Sequence, residues 1–179
     1  MLPQHFSRRN FLKQSAAAAT ASVIAASGVS FIAPPKNYRV GLIGTGWYGT
    51  SDLLRLIQVS PVNVVALCDV DKNQLEAAGK RVSKRQLSGK VPVLYNNHQH
   101  MLAKNQLDIV LIGTPDHWHA LTAIDALKAG AHLYLQKPIS VDVLEGEAMV
   151  AAAQKYNRVY RLACNVEAHR TCWRQRKIL

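Results

Sequence analysis

Three glycines, Gly44, Gly46 and Gly49, stand at G-x-G-x-x-G spacing inside "VGLIGTGWYG". That spacing suits a dinucleotide. The first glycine permits a tight strand-to-helix turn, the second lets backbone approach a pyrophosphate, and the third lets the helix pack closely on the strand. A helix that starts there offers free N–H groups and the positive end of its dipole to phosphate oxygens. A plain glycine turn is the competing reading. Context favours the dinucleotide: a β-branched run precedes the glycines, a helical pattern follows them, and the next apolar run ends in Asp69. A carboxylate there accepts hydrogen bonds from ribose hydroxyls and repels a 2′-phosphate, which points to NAD ahead of NADP.

Two further stretches carry groups able to do chemistry. "GTPDHWH", from Gly113 to His119, follows an apolar run. Ligands of open α/β sheets bind outside the carboxyl ends of the strands, so this loop should border the same cleft. Thr114 has a structural alternative, capping a helix whose first residue is Pro115. His117 and His119 flank a tryptophan, but residues two apart do not share a helical face. No cysteine or carboxylate set lies beside them, so no metal site is expected. "HQH", at His98 to His100, reads as surface. "LQKPIS" puts Lys137 at the end of a buried run, where an ammonium loses hydration and often titrates low. A solvated lysine is the plainer alternative.

The elements that must position these groups alternate from Tyr38 onward. "YRVGLIG", "NVVALCDVD", "LDIVLIGTP" and "AHLYLQKP" read as strands, and the continuous apolar runs among them suit strands buried on both faces. "VPVLY" is shorter, and Pro92 places it toward an edge. "SDLLRLIQVS" puts Leu53, Leu54, Leu56 and Ile57 on one helical face. "NQLEAAGKRVSKRQ", "HALTAIDALKAG" (closed by Gly130) and "VDVLEGEAMVAAAQKYN" are the other helices, and "RVY" opens a sixth strand. Strands separated by helices at this spacing mean βαβ crossovers and a doubly wound parallel sheet.

The chain has 179 residues, room for about one domain. Its net charge of +11 would suit nucleic acid, but the charge sits at the two ends. Arg8, Arg9 and Lys13 lie in residues 1–14, and residues 161–179 hold five basic residues against Glu167. The body between has no basic helix or aromatic-interleaved patch, which excludes nucleic-acid binding. "SRRNFLKQ" followed by the uncharged, alanine-rich Ser15 to Ala33 reads as an export signal of the twin-arginine type. This implies the export machinery as a partner and a periplasmic or other extracytoplasmic location, with a membrane signal-anchor as the alternative. The three cysteines (Cys68, Cys164, Cys172) are an odd number without metal-ligand spacing, and Cys68 reads as a buried apolar residue.

Taken in order, the twin-arginine segment, "GLIGTGWYG", "ALCDVD", "IGTPDHWH" and "QKP" resemble the Gfo/Idh/MocA family of NAD(P)-dependent oxidoreductases, in its exported branch. The resemblance covers Tyr38 to Tyr160, the family's cofactor domain. It implies that Gly44, Thr45, Gly46, Trp47, Tyr48 and Gly49 cradle the pyrophosphate and that Asp69 holds the ribose. Thr114, Pro115 and His119 would line the cleft. Lys137 would position a substrate hydroxyl and relay its proton. The family's Glu-Lys-Pro is Gln136-Lys137-Pro138 here, so hydrogen bonding beside the nicotinamide is kept and a negative charge is lost. The implied substrate is a sugar, cyclitol or related polyol, and some relatives use bound NAD for redox-assisted glycoside cleavage. A second α/β domain, expected to shape the sugar site and mediate oligomers, has no counterpart in this sequence. Two readings compete with the oxidoreductase: a catalytically dead dinucleotide-binding fragment, and a one-domain binding protein with a genuine tail.

The closing stretch "LACNVEAHRTCWRQRKIL" departs from the family, which continues after this strand with Q-V-G-x-Q-R-R-S-x-P-H. Re-read one base earlier, the codons from Tyr160 onward permit Q-V-G-[LMV]-Q-R-R-S-x-P-H. The expectation is a one-base frameshift near codon 160. The chain then divides into a signal segment (1–36), a dinucleotide-binding domain (37–160) and an out-of-frame tail (161–179). A disrupted sixth strand and an exposed apolar face should follow.

Overall fold

Short aliphatic runs alternate with amphipathic stretches, and the computed structural model, which describes residues 37–163, assembles them into one six-stranded sheet with helices on both faces. In chain order these are β1 (Tyr38–Ile43), α1 (Trp47–Val59), β2 (Val62–Cys68), α2 (Lys72–Ser83), β3 (Val93–Tyr95) and α3 (His98–Lys104). They continue with β4 (Ile109–Ile112), a 3-10 turn (Asp116–Trp118), α4 (His119–Lys128), β5 (His132–Leu135), α5 (Val143–Lys155) and β6 (Tyr160–Leu162). Every strand pair is parallel and the order is β3-β2-β1-β4-β5-β6. The order reverses between β1 and β4, which opens a crevice at the carboxyl ends of those two strands.

Alternation along the strands divides the core. Val40 and Leu42 of β1 pack with Leu53 of α1 and with Leu75 and Val82 of α2 on one face. Ile43 packs on the other face with Met101 of α3, Ala123 and Leu127 of α4 and Met149 of α5. The register between β1 and β2 slips by one residue, with Val65 the extra one. A bulge of this kind turns the remainder of the strand over; beyond it Leu67 faces the first cluster and Cys68 the second.

Helix ends follow local chemistry. Asp71 caps α2 by accepting from the Asn73 and Gln74 amides, and Asn97 caps α3 by accepting from His100. Asp142 caps α5 by accepting from Glu145 N–H, while Glu145 accepts from Val141 N–H in return, a reciprocal cap. Gly130, at φ +89°, turns the chain out of α4.

One expectation needs correction. The sixth strand forms: Tyr160, Arg161 and Leu162 pair with Leu133, Tyr134 and Leu135, and Ala163 N–H donates to the Leu135 carbonyl at 2.7 Å. Ladder bonds are made by backbone and ask little of side-chain identity, and Leu162 packs on the core. The "HQH" stretch opens a helix, α3, where the unbroken polar run hid a short amphipathic turn closed on the core by Met101 and Leu102. His98 is half-buried there and pairs with Asp125 at 3.0 Å, while Gln99 and His100 are exposed. Thr114 caps nothing, because the 3-10 turn has no side-chain cap bond. The twin-arginine segment and most of the closing tail lie outside the described residues. Among the described residues no helix is long and apolar enough to cross a membrane.

Candidate functional site

The turn after β1 is built on contact between glycines. Gly44 has φ +86°, and a Cβ there would lie 2.6 Å from the Gly113 carbonyl carbon and the Thr114 nitrogen. A Cβ on Gly49 would lie 2.1 Å from the Gly44 oxygen, and one on Gly113 would lie 2.7 Å from Gly49 Cα. These three glycines therefore close the end of β1, the start of α1 and the end of β4 onto one another. Gly46 differs: a Cβ there would meet no protein atom within 4 Å. It is the N-cap of α1, with no side-chain cap bond and no acidic residue in the first turn. The first amides of α1 are thus left for an outside acceptor.

Asp69, just beyond β2, faces this turn. Its carboxylate accepts from Thr45 N–H at 2.6 Å and Thr45 hydroxyl at 2.9 Å, and its other oxygen accepts from Asp71 N–H at 3.0 Å. Thr45 is fully buried, and its carbonyl accepts from the Thr50 hydroxyl at 2.7 Å. Thr45, expected in the pyrophosphate cradle, has its side chain turned inward, where it holds Asp69. Beside it the Cys68 thiol is pushed up to about 12, by burial first and by the Asp69 charge second.

A cleft of about 630 Å³ runs across the switch point, within the size range of cofactor sites. Gly44, Gly46, Trp47, Tyr48 and Asp69 line one side of it, and Gly113, Thr114, Pro115 and Trp118 the other. The Thr114 hydroxyl is buried and has no hydrogen-bond partner. An unpaired buried hydroxyl, a glycine with open space before it and uncapped helix amides together fit a phosphate-bearing dinucleotide. Trp47 is 72% exposed and stacks edge-on against Tyr48 at 4.6 Å, presenting aromatic surface at the rim.

His119 is placed differently from the expectation. It is 1% exposed and lies beneath the cleft, with Nδ1 2.7 Å from the Pro138 carbonyl oxygen and Nε2 2.9 Å from that of Thr114. Its ring ties the loop after β4 to the loop after β5 and has no nitrogen free for a ligand. His117 is exposed, 3.6 Å from Asp116.

Gln136 and Lys137 form a second group beyond the end of β5. Gln136 Nε2 donates to the Asp52 carboxylate of α1, and its Oε1 accepts from Lys137 N–H at 3.2 Å. Lys137 Nζ sits 5.3 Å from the centre of the Tyr48 ring, and the Lys137–Pro138 peptide is cis. Tyr48 thus belongs to both groups. Sequence reasoning named Gly113 only as the start of the loop bordering the cleft, without its close packing on Gly49, and passed over Asp52. Asp52 had no signal, since an aspartate in a helix reads as solvated.

The profile of the family described as "Oxidoreductase family, NAD-binding Rossmann fold" (GFO_IDH_MocA) matches residues 38–164. A glycosyl hydrolase family 109 protein of Shewanella baltica is 30% identical over 89% of this chain and 39% of its own length. Among solved structures, myo-inositol 2-dehydrogenase of Lactobacillus plantarum is 28% identical with a TM-score of 0.61, over 72% of this chain and 36% of that one. The WlbA dehydrogenase of Chromobacterium violaceum, solved with NADH and UDP-GlcNAcA, is 25% identical with a TM-score of 0.63, over 74% and 37%. This chain spans about two fifths of the length of the curated relatives it matches.

Proposed function

This chain belongs to the Gfo/Idh/MocA oxidoreductase family, with its NAD-binding Rossmann fold, and on that premise we propose that residues 37–160 are the cofactor half of an enzyme that oxidises or reduces a carbon of a sugar-like or polyol substrate. The observation that carries the reading is the cleft at the switch point, open at Gly46, bordered by Asp69 and floored by the unpaired Thr114 hydroxyl. Bound NAD would supply the hydride-accepting ring. Gly46 and the first amides of α1 would hold the pyrophosphate, and Asp69 the ribose hydroxyls, with Thr45 fixing the carboxylate. Trp47 and Tyr48 would keep water from the cleft. Lys137, at the far side of Tyr48, would orient a substrate hydroxyl and take part in its proton transfer.

The test is binding first and turnover second. Titration of the 179-residue chain with NAD and NADP should give saturable binding with NAD preferred. A panel of cyclitols and sugars then asks for NADH formation by a chain extended to its relatives' length. Failure of the first step removes the dinucleotide reading, and success of the first with failure of the second leaves a binding fragment.

A second reading is favoured by the name of the Shewanella baltica relative: glycoside cleavage with the nicotinamide returned to its starting state. It predicts release of the leaving group without net NADH, so absorbance at the NADH band separates the two.

We also read Ser7 to Ala33 as a twin-arginine export signal and the tail after Tyr160 as out of frame. A reporter fused after Pro35 should reach the periplasm only with Arg8 and Arg9 intact, and failure to do so under any condition removes the export reading. A DNA read through codon 160 should show that one base change opens the Q-V-G-x-Q-R-R-S-x-P-H frame; a confirmed sequence with no such frame removes the frameshift.

A further inference from the structure

Gln136 and Asp52 are far apart in sequence and joined in space. Asp52 lies on α1 one turn beyond Tyr48, half-buried, and its carboxylate accepts from Gln136 Nε2. Among the described residues no lysine, arginine or histidine lies within ion-pair distance of it. The Gln136 amide is held at both ends, since its oxygen accepts from Lys137 N–H. The pairing is chemically selective: a carboxylate cannot donate, so residue 136 must present an N–H to Asp52. A second carboxylate at 136 would set two like charges against each other.

The position of this pair matters because of the fold. Asp69 marks the adenosine side of the cleft, beyond β2, while Gln136 stands beyond β5 on the opposite side of the switch point. A dinucleotide laid across the crevice brings its nicotinamide half to that side. We propose that Asp52 is a positioning and charge-supplying residue of the nicotinamide corner. It locks the Gln136 amide in one orientation and furnishes, from α1, the negative charge that favours the cationic oxidised ring over the neutral reduced one. The inference rests on the reading of this cleft as an NAD site.

Four proteins test it: the full 179-residue chain, Asp52→Asn, Gln136→Glu and the double exchange. Asp52→Asn keeps an acceptor for Gln136 and removes only the charge. Affinities for NAD and NADH are measured for each by calorimetric titration, with melting temperature alongside. Wild-type failure to bind either form sinks the cleft reading, and the Asp52 proposal falls with it. Given wild-type binding, Asp52→Asn should shift the NAD-to-NADH affinity ratio toward NADH by about three- to tenfold, the size expected for removing one unit charge beside a cationic ring, with little change in melting temperature. Gln136→Glu should lower the melting temperature, and the double exchange, which swaps carboxylate and amide, should recover both stability and ratio. An unchanged ratio in Asp52→Asn overturns the proposal, as does a double exchange no better than the worse single. If Gln136→Glu does not fold, recovery of a folded, binding double variant supports the pairing and its absence overturns it.

Discussion

Asp69 and Thr45 are joined twice, the carboxylate accepting from the backbone N–H at 2.6 Å and from the hydroxyl at 2.9 Å. The residue expected to hold a ribose is therefore itself held by the glycine turn. Thr45→Val removes the hydroxyl bond alone and should cost about 1 kcal/mol of stability in urea denaturation. Asp69→Ala should weaken NAD binding by at least about tenfold, the worth of a charge-assisted hydrogen-bond pair, and raise NADP affinity relative to NAD. Unchanged NAD affinity in Asp69→Ala would place the ribose elsewhere.

Two alanines in one motif should behave oppositely. Gly49→Ala puts a Cβ 2.1 Å from a backbone oxygen and should leave little folded protein. Gly46→Ala meets no protein atom; it should fold with near-native melting and lose dinucleotide affinity, because the methyl occupies the space before the uncapped amides. Circular dichroism melts with NAD titration separate the two, and full affinity in a folded Gly46→Ala would argue against pyrophosphate at that point.

Alkaline pH should destabilise the domain. The Cys68 thiol is raised from 9.0 to about 12 and the Tyr160 hydroxyl from 10.0 to about 12, both chiefly by burial. Groups whose folded values are raised contribute stability that is complete below the unfolded value and is lost as pH climbs through the folded one. Melting temperature should therefore fall from about pH 9 upward, beginning with Cys68, and Cys68→Ala should flatten the first part of the fall. Iodoacetamide at pH 8 should modify folded Cys68 about a thousandfold more slowly than an unperturbed thiol, in proportion to thiolate. Rapid alkylation of the folded chain at Cys68, mapped by peptide mass spectrometry, would contradict the burial.

His119→Ala removes the ring standing between the Pro138 and Thr114 carbonyls, to one of which a neutral imidazole donates, and opens a cavity. The expected cost is about 2–4 kcal/mol of unfolding free energy, with NAD affinity reduced because the two loops are no longer tied. A loss of less than about 0.5 kcal/mol, the range of a surface substitution, would mean that the ring does not bridge them.

What the residues by themselves determined was local. The β-branched runs, the helix faces such as Leu53 with Leu54, Leu56 and Ile57, and the Gly-rich turn before a helix are dictated by periods of two and 3.6 residues and by backbone freedom. The alternation of these elements settled a doubly wound parallel sheet, and Pro92 placed its strand at the edge where β3 lies. Helix α3 escaped because seven residues give too short a period to read.

Tertiary structure alone decided which side of each motif residue meets the cleft. Thr45 lies inside "GTG" yet points inward, since the bonds that turn it come from Asp69 and Thr50. His119 is drawn under the floor by carbonyls on two different loops. Asp52 meets Gln136 across 84 positions, and β6 forms because β5 offers an open row of backbone groups to it. In each case the deciding partner is distant in sequence, and a hydrogen bond carries no local periodicity by which it could be read.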